Sequence, residues 1–233
     1  MKIGIIGAGN IGGALAGNLV KLGHTVSIAN SRGPDTLKDL AAKTGAKPVT
    51  AQQAAHAGEI VVLTIPFVNV AKVGKALFAD VPPSVIVIDT NNFYPEMRDG
   101  EIAPRDVIDS SWVAEHIGRP VIKVFNNIYA QSLATKGTPK GSPGRLALPV
   151  AGDDAKAKQA VLDLVEVLGF DAIDAGTLAE SWRQQPGTPA YTADLDKPKM
   201  TQALAAAERG KLTEYRANAE NALRKMLGGK TLR

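Results

Sequence analysis

The chain contains no cysteine. This excludes disulfide cross-links, thiolate nucleophiles and zinc–thiolate sites, and it makes a reducing, cytoplasmic setting the simplest expectation. Acid–base residues in catalytic arrangements are equally scarce. The histidines are His24, His56 and His116. The first falls in a helix-to-strand turn and the others on helix-like segments without a carboxylate at catalytic spacing, so structural roles are expected for all of them. No tyrosine is followed four positions later by lysine, and no HExxH or carboxylate–histidine pattern occurs, so neither a metal site nor a catalytic acid or base is expected. Lys123 and Asn127 do show a K-x3-N spacing, but Val121–Phe125 reads as a strand and not as the helix on which hydroxyacid dehydrogenases carry that pattern. No apolar run reaches the ~18 residues of a membrane span. Lys2, the apolar stretch behind it and Ala14-Leu15-Ala16 imitate a secretory signal, but Gly4, Gly7, Gly9, Asn10, Gly12 and Gly13 interrupt it. No membrane partner is expected.

What is present suits a folded chain. Of 233 residues, 45% are hydrophobic and 21% charged, which fits one large globular domain or one with a small appendage. The formal charge is +4 and the pI about 9.2, a balance that invites a nucleic-acid reading. The excess, however, sits in the last 25 residues, where Arg209, Lys211, Arg216, Arg224, Lys225, Lys230 and Arg233 face only Glu214 and Glu220. The rest of the chain is close to neutral, and no nucleic-acid partner is expected. Arg224 and Lys225 complement a helix macrodipole, and Lys230 and Arg233 belong to a frayed end.

Short apolar, β-branched runs alternate with helical patterns. Strands are predicted at Lys2–Ile6, Thr25–Ala29, Ile60–Leu63, Val85–Ile88, Val121–Val124, Ala147–Val150 and Phe170–Ile173, and helices at Ile11–Leu22, Asp35–Lys43, Asn69–Phe78 and Ala155–Leu168. Strands this apolar, separated by helices, read as a sheet buried on both faces: an α/β, doubly wound, mostly parallel sheet with a small C-terminal helical extension. Residues 135–146, rich in Gly, Pro and Lys, read as a mobile surface loop near a site, and 183–199 also read as loop. Beyond them Gln202–Arg209 and Lys211–Leu227 read as helices, the second with an apolar stripe of Leu212, Tyr215, Ala219, Ala222 and Met226 that should be packed. The division expected is residues 1–175 as a nucleotide-binding domain and 176–233 as a segment closing the acceptor site or forming a homodimer contact.

Gly7-Ala8-Gly9-Asn10-Ile11-Gly12 follows the first strand and opens the first helix. Gly7 permits the tight turn, Gly9 admits a pyrophosphate close to the backbone, Gly12 lets the helix lie on the strand, and the helix N-terminus offers free N–H groups. A glycine-rich packing turn is the plain alternative. The second strand ends in Asn30-Ser31-Arg32 where an NAD site carries an acidic residue. Ser31 can donate to a 2′-phosphate and Arg32 can pair with it, so NADP(H) is expected.

Ligands of open α/β sheets lie beyond the carboxyl ends of the strands. That rule points to Thr64-Ile65-Pro66-Phe67, then Asp89-Thr90-Asn91-Asn92-Phe93-Tyr94-Pro95, then Phe125-Asn126-Asn127-Ile128-Tyr129. The Asn pairs supply neutral amides and no acid or base, and Asx turns are their plain alternative. Such a site suits hydride exchange with a delocalised ring better than carbonyl reduction, which needs a proton donor.

Taken together, Gly7–Gly12, Asn30-Ser31-Arg32, Leu63-Thr64-Ile65-Pro66-Phe67, Lys123-Val124-Phe125-Asn126-Asn127-Ile128, Pro149-Val150-Ala151-Gly152-Asp153-Asp154 and Asp174-Ala175-Gly176-Thr177-Leu178 resemble the F420-dependent NADP oxidoreductase family. Asn91–Pro95 and Ser181–Tyr191 are similar to its bacterial subgroup. The resemblance implies a Rossmann-type domain holding NADPH, with coenzyme F420 or another flavin-like small molecule as hydride acceptor. By matching position, Ala8 to Ile11 would line the pyrophosphate and Ser31 and Arg32 the 2′-phosphate. Ile65, Pro66 and Asn69 would flank the nicotinamide ribose, Asn126 and Asn127 the nicotinamide and acceptor, and Ala175 and Gly176 the acceptor pocket. Asp153 and Asp154 read as helix caps. Binding of NADPH without turnover, as a sensor or scaffold, and reduction of a small imine or carbonyl remain alternatives.

Overall fold

The computed structural model describes residues 1–231; Arg233, counted above with the basic tail, lies outside the described residues. In chain order the elements of the first half are β1 (Lys2–Ile6), α1 (Asn10–Lys21), β2 (Thr25–Ala29), α2 (Lys38–Thr44), β3 (Lys47–Pro48), α3 (Ala51–Ala55), β4 (Ile60–Leu63), α4 (Val70–Val73), β5 (Ile86–Asp89) and α5 (Asp109–Ile117). They continue with β6 (Ile122–Lys123), α6 (Ala130–Thr135), β7 (Ala147–Val150), α7 (Ala155–Val167), β8 (Asp171–Asp174), α8 (Lys197–Ala206) and α9 (Leu212–Met226).

The first six strands form one parallel sheet in the order β3-β2-β1-β4-β5-β6. The alternation of side chains along each strand divides the core into two layers. Ile3, Ile5, Ile60 and Val62 join Leu15 and Leu19 of α1 on one face, and Ile6, Val61 and Leu63 join Phe67, Trp112 and Val113 on the other. Leu15 and Leu19 are fully buried, each stabilising the fold by roughly 1.5–3 kcal/mol relative to exposure. Gly4 is required by α3, since a Cβ there would sit 1.9 Å from the Ala54 carbonyl oxygen. Strand order reverses between β1 and β4, and the crevice outside their carboxyl ends is where such a sheet takes a ligand.

The last two strands depart from the single sheet expected. β7 and β8 pair in parallel as a sheet of their own, tied to β6 through the antiparallel bridge between Lys123 and Ala151. Two features end the main sheet there: β6 pairs over only two residues, and Phe125 takes φ +62°, which turns the chain away. Residues 135–146, expected as a mobile loop, are pinned against the end of α7 and the start of β8. Arg145, 3% exposed, donates to the carbonyls of Thr138, Gly169 and Glu166 and to the carboxylates of Glu166 and Asp171 at 2.6–3.2 Å.

The predicted helix over Asn69–Phe78 is divided. Two 3-10 turns flank α4, and Gly74 at φ +56° breaks it. α8 starts five residues before the predicted Gln202, because Asp196 caps it and Pro198 sits in its first turn, where proline is tolerated. α9 docks on an unexpected face. The residues it buries are Leu212, Arg216 and Glu220, whereas Ala222 is exposed and Met226 is 71% exposed. The predicted stripe is thus only partly packed, because hydrogen bonds that Arg216 donates to residues 93–109 and that Glu220 accepts from the N–H groups of Glu96 and Met97 set the helix's rotation. No described helix is long and apolar enough to cross a membrane.

Candidate functional site

The turn after β1 has the geometry its glycines suggest. Gly7 takes φ +119°, its N–H donates to the Ala29 carbonyl at 2.9 Å, and a Cβ on it would lie 1.9 Å from the Thr64 carbonyl oxygen. At Gly12 a Cβ would lie 2.0 Å from the Gly7 carbonyl oxygen, which is what lets α1 start hard against the turn. Gly9 differs from both: a Cβ there would meet nothing within 4 Å. Its backbone faces open space, so nothing in the packing of this chain requires glycine at that position. Gly9 is the N-cap of α1, with no side-chain cap and no acidic residue in the first turn. Ala8 and Ile11 are partly buried beside it and Asn10 is exposed. The helix N-terminus therefore presents unneutralised partial positive charge to the crevice.

At the end of β2, Asn30 builds the turn. Its Oδ1 accepts the Arg32 N–H at 3.0 Å and its Nδ2 donates to Thr36 Oγ1 at 2.8 Å, while that hydroxyl donates to the Gly33 carbonyl at 2.8 Å. The Asn30 side chain is thereby committed to an Asx turn. It holds Ser31 and Arg32 outward, both exposed, and among the described residues no carboxylate pairs with the Arg32 guanidinium. Lys38, by contrast, is engaged by Asp35 at 3.3 Å. Free N–H groups at α1 and a free guanidinium at β2 suit the two ends of an anionic dinucleotide.

The end of β4 supplies Ile65, Pro66 and Asn69, all partly buried. Phe67 must be taken off the expected ligand set. It is fully buried, stacked on Trp112 at 4.3 Å and tilted against Phe93 at 4.9 Å between ring centroids, so its ring belongs to the core. The same correction applies to two other side chains. Asn91 is 3% exposed, with its backbone N–H and Nδ2 both donating to Asp89 Oδ1. Ile128 is 5% exposed within the α1-side core.

Asn92 and Asn126 come together as expected, with Asn92 Nδ2 donating to the Asn126 carbonyl at 2.9 Å and Asn126 Nδ2 to Asn92 Oδ1 at 3.0 Å. What covers them is the chain itself: Asn126 is 4% and Asn127 1% exposed, so these side chains too leave the expected ligand set. Asn126 also donates to the Gln184 carbonyl at 2.7 Å and accepts from Gln184 Nε2 at 2.9 Å. Asn127 donates to the Ala190 carbonyl at 3.0 Å, and its own carbonyl accepts the Thr192 N–H at 2.7 Å. A buried Phe125 with positive φ is a costly conformation for a bulky residue, and it is what brings these amides to residues 184–192. Tyr129 is 50% exposed at the start of α6. Ala175 and Gly176 lie at the end of β8, where the Gly176 carbonyl accepts Lys158 Nζ at 3.1 Å. Asp154 caps α7 through the N–H groups of Lys156 and Ala157, whereas Asp153 accepts the Leu178 N–H at 2.9 Å.

Asp89 and Tyr94 lie in a stretch the sequence singled out, but two polar pairings they make at the rim were not foreseen. Lys123 and Asp89 form a fully buried ion pair at 3.3 Å, with Ser110 Oγ donating to the same carboxylate at 2.5 Å and the ammonium also donating to the Asn91 carbonyl. A lysine inside an apolar strand was the available signal. Lys123 is indeed on a strand, facing Asp89 in register across β5 and β6. The second group is Tyr94 with Tyr191, whose hydroxyls meet, and Asn92 Nδ2 lies 3.4 Å from Tyr191 Oη. Burial, reinforced by Tyr191, pushes the Tyr94 phenol well above its ordinary value, and burial pushes Tyr191 up to about 12. They are 97 residues apart, so no local spacing reveals them. The histidines stand away from this rim: His24 next to the N-terminal amine, His56 on the Gln52 carbonyl and His116 on the Trp112 carbonyl.

The profile of the family described as NADP oxidoreductase, coenzyme F420-dependent, matches residues 2–93. The solved structure of the hypothetical protein SMa0349 from Sinorhizobium meliloti is 32% identical and superposes with a TM-score of 0.71 over 84% of this chain and 96% of that one. A protein of Arthrobacter sp. FB24, whose name as an F420-dependent NADP-reductase is itself provisional, shares the fold at 21% identity with a TM-score of 0.65 over the whole of both chains. The protein YjhV of Escherichia coli K12 is 49% identical over 72 residues, 31% of this chain. The match spans about half, 53%, of that curated relative's length.

Proposed function

Residues 2–93 match the family described as NADP oxidoreductase, coenzyme F420-dependent, and from that premise we propose that the chain is an NADP(H)-dependent oxidoreductase of that family whose hydride acceptor is a deazaflavin or another flavin-like ring. One observation carries the nucleotide assignment: Ser31 and Arg32 stand exposed at the end of β2, and among the described residues no carboxylate holds the guanidinium. A 2′-phosphate would pair with it, while the pyrophosphate would lie over Gly9 at the open N-terminus of α1. When bound, the nucleotide supplies a hydride. The chain's own part is to fix its phosphates, to flank its ribose with Ile65, Pro66 and Asn69, and to close the acceptor side with residues 176–233.

Replacing Arg32 by Ala should weaken NADPH binding by roughly 1.5–3 kcal/mol, the worth of a charged hydrogen bond, with little change for NADH. Nicotinamide fluorescence titrations read both affinities, and equal losses would overturn the assignment to NADP(H). The commitment of Asn126 and Asn127 to Gln184 and Ala190 favours one second reading, a nucleotide-binding sensor without turnover. Stopped-flow mixing of the NADPH-loaded protein with coenzyme F420, FMN and quinones separates the two, since a sensor binds without oxidising the nucleotide.

A further inference from the structure

We propose that Tyr191, backed by Tyr94 and Asn92, is the proton donor of this site, so that it accommodates acceptors carrying a C=N group, either in a conjugated ring or as an imine. This rests on the nucleotide reading above and adds an acid to a rim whose sequence displays none.

The argument begins with the direction of the hydrogen bonds. Asn92 Nδ2 can only donate, and its two hydrogens serve the Asn126 carbonyl at 2.9 Å and Tyr191 Oη at 3.4 Å. Among the described residues Tyr94 Oη pairs with Tyr191 Oη alone. Tyr94 is 8% exposed and lies behind Tyr191, which is partly exposed. With Tyr94 donating forward, the Tyr191 oxygen accepts both hydrogen bonds and its own O–H has no acceptor among the described residues. Both phenols are raised by burial, so both are protonated at neutral pH, and the hydrogen bond from Tyr94 works to lower Tyr191. The charged and titratable groups facing it are Asp109, the Arg98 guanidinium, 5.4 Å from the centroid of the Tyr94 ring, and Tyr129. Asn92 stands three residues beyond the end of β5, at the rim where this fold takes its ligand.

The chemistry balances. Hydride adds to the imine carbon or, in a conjugated ring, to the carbon at the far end of the C=C–C=N system, and in both cases the displaced π pair ends as a lone pair on nitrogen. The Tyr191 O–H bond breaks as the N–H bond forms, and the phenolate, held by the Tyr94 hydroxyl and the Asn92 amide, is reprotonated from water. The acceptor gains two electrons, which the nucleotide loses.

A direct test uses δ-valerolactam, whose amide carbonyl stands where the imine nitrogen would accept the proton. Infrared difference spectra of the 13C=O-labelled lactam are recorded with the full chain, with and without NADP+, for the wild type, Tyr191→Phe and Tyr94→Phe. A carbonyl band shifted to lower frequency in the wild type, lost in Tyr191→Phe and weakened in Tyr94→Phe, supports the proposal. In parallel, NADPH reduction of 3,4-dihydroisoquinoline should fall about 100-fold or more in Tyr191→Phe, with NADPH affinity unchanged and the thermal midpoint lowered only modestly, since the Tyr94 hydroxyl loses its partner. Identical bands in wild type and Tyr191→Phe, or no lactam bound by the wild type, overturn it. Loss of NADPH binding by the wild type would instead overturn the nucleotide reading, while the lactam band without NADP+ still decides for or against Tyr191.

Discussion

Arg216 shows how far a residue's role can lie from its apparent one. By sequence it is one cation of a basic tail. Folded, it is 2% exposed, donates to the carbonyls of Arg105, Phe93 and Val107 and to Asp109 Oδ1 at 2.6–3.3 Å, and lies over the Phe93 ring at 5.0 Å. Asp109 is itself fully buried, so removing the guanidinium leaves a charge without its counter-ion. Arg216→Met should destabilise the fold by about 3–5 kcal/mol in urea unfolding. Adding Asp109→Asn should restore part of that loss, because the two changes share one interaction. Additive losses would show that the pair is not coupled. The basic excess therefore divides by environment: Arg216 is structural and Arg209 meets the Asp106 carbonyl, while Arg32, far from the tail in sequence, stands exposed without a carboxylate partner among the described residues.

At the scale of the element, the turn between β1 and α1 separates folding from binding in neighbouring glycines. At Gly7 and Gly12 a backbone oxygen lies within 2.0 Å of the place a Cβ would take, so alanine at either should destabilise the protein. Gly9 has no such neighbour and an ordinary φ of −79°. Gly9→Ala should leave the unfolding midpoint in place while weakening NADPH by about 1.4 kcal/mol or more, a tenfold change in Kd. Unaltered affinity would place the pyrophosphate elsewhere. This turn was legible because its determinants are local, as were β1, β2, β4 and β7, whose apolar runs coincide with the strands formed. What was hidden depends on partners distant in sequence. Nothing near Phe125 announces a positive φ; Gln184 and Ala190 decide where Asn126 and Asn127 point, and Tyr94 acquires its role from Tyr191. The short α3, α5 and α6 lack the length over which periodicity declares itself, and the rotation of α9 was hidden because its packed face is carried by Arg216 and Glu220, residues that pattern reading assigns to solvent.

Across the whole molecule, carboxylates of opposite character lie in two places, and they give acid opposite effects. In the β7–β8 unit, burial works to raise Glu166, but the Ala172 N–H and Arg145 outweigh it and leave the carboxyl lowered. Asp174 is likewise lowered, burial being overcome by Lys158 and the Gly176 N–H. Folded pKa values below the unfolded ones mean that the unfolded chain binds more protons. The stability these groups contribute is present above the usual carboxylate range, about 4, and is lost as pH falls through their folded values. Glu220 behaves inversely. Burial raises it; its Oε1 accepts from the N–H groups of Glu96 and Met97, while Oε2 is buried without a partner and offers a seat for the proton. Its contribution is complete below the unfolded glutamate value and is lost as pH rises through the folded one. Mild acid should therefore loosen β7, α7 and β8 while tightening the Glu220 seat of α9; Glu96, held low by Arg105 and Arg224, opposes this at the far end of α9, but as an exposed, solvent-screened pair it weighs little. Amide hydrogen exchange at pH 7 and pH 4, corrected for intrinsic rates, should show protection falling over residues 146–174 and holding or rising over 212–226. Glu166→Gln should remove part of the first change and Glu220→Gln the second. A uniform loss of protection along the chain would mean that the two regions unfold as one cooperative unit and that neither carboxylate governs its own element.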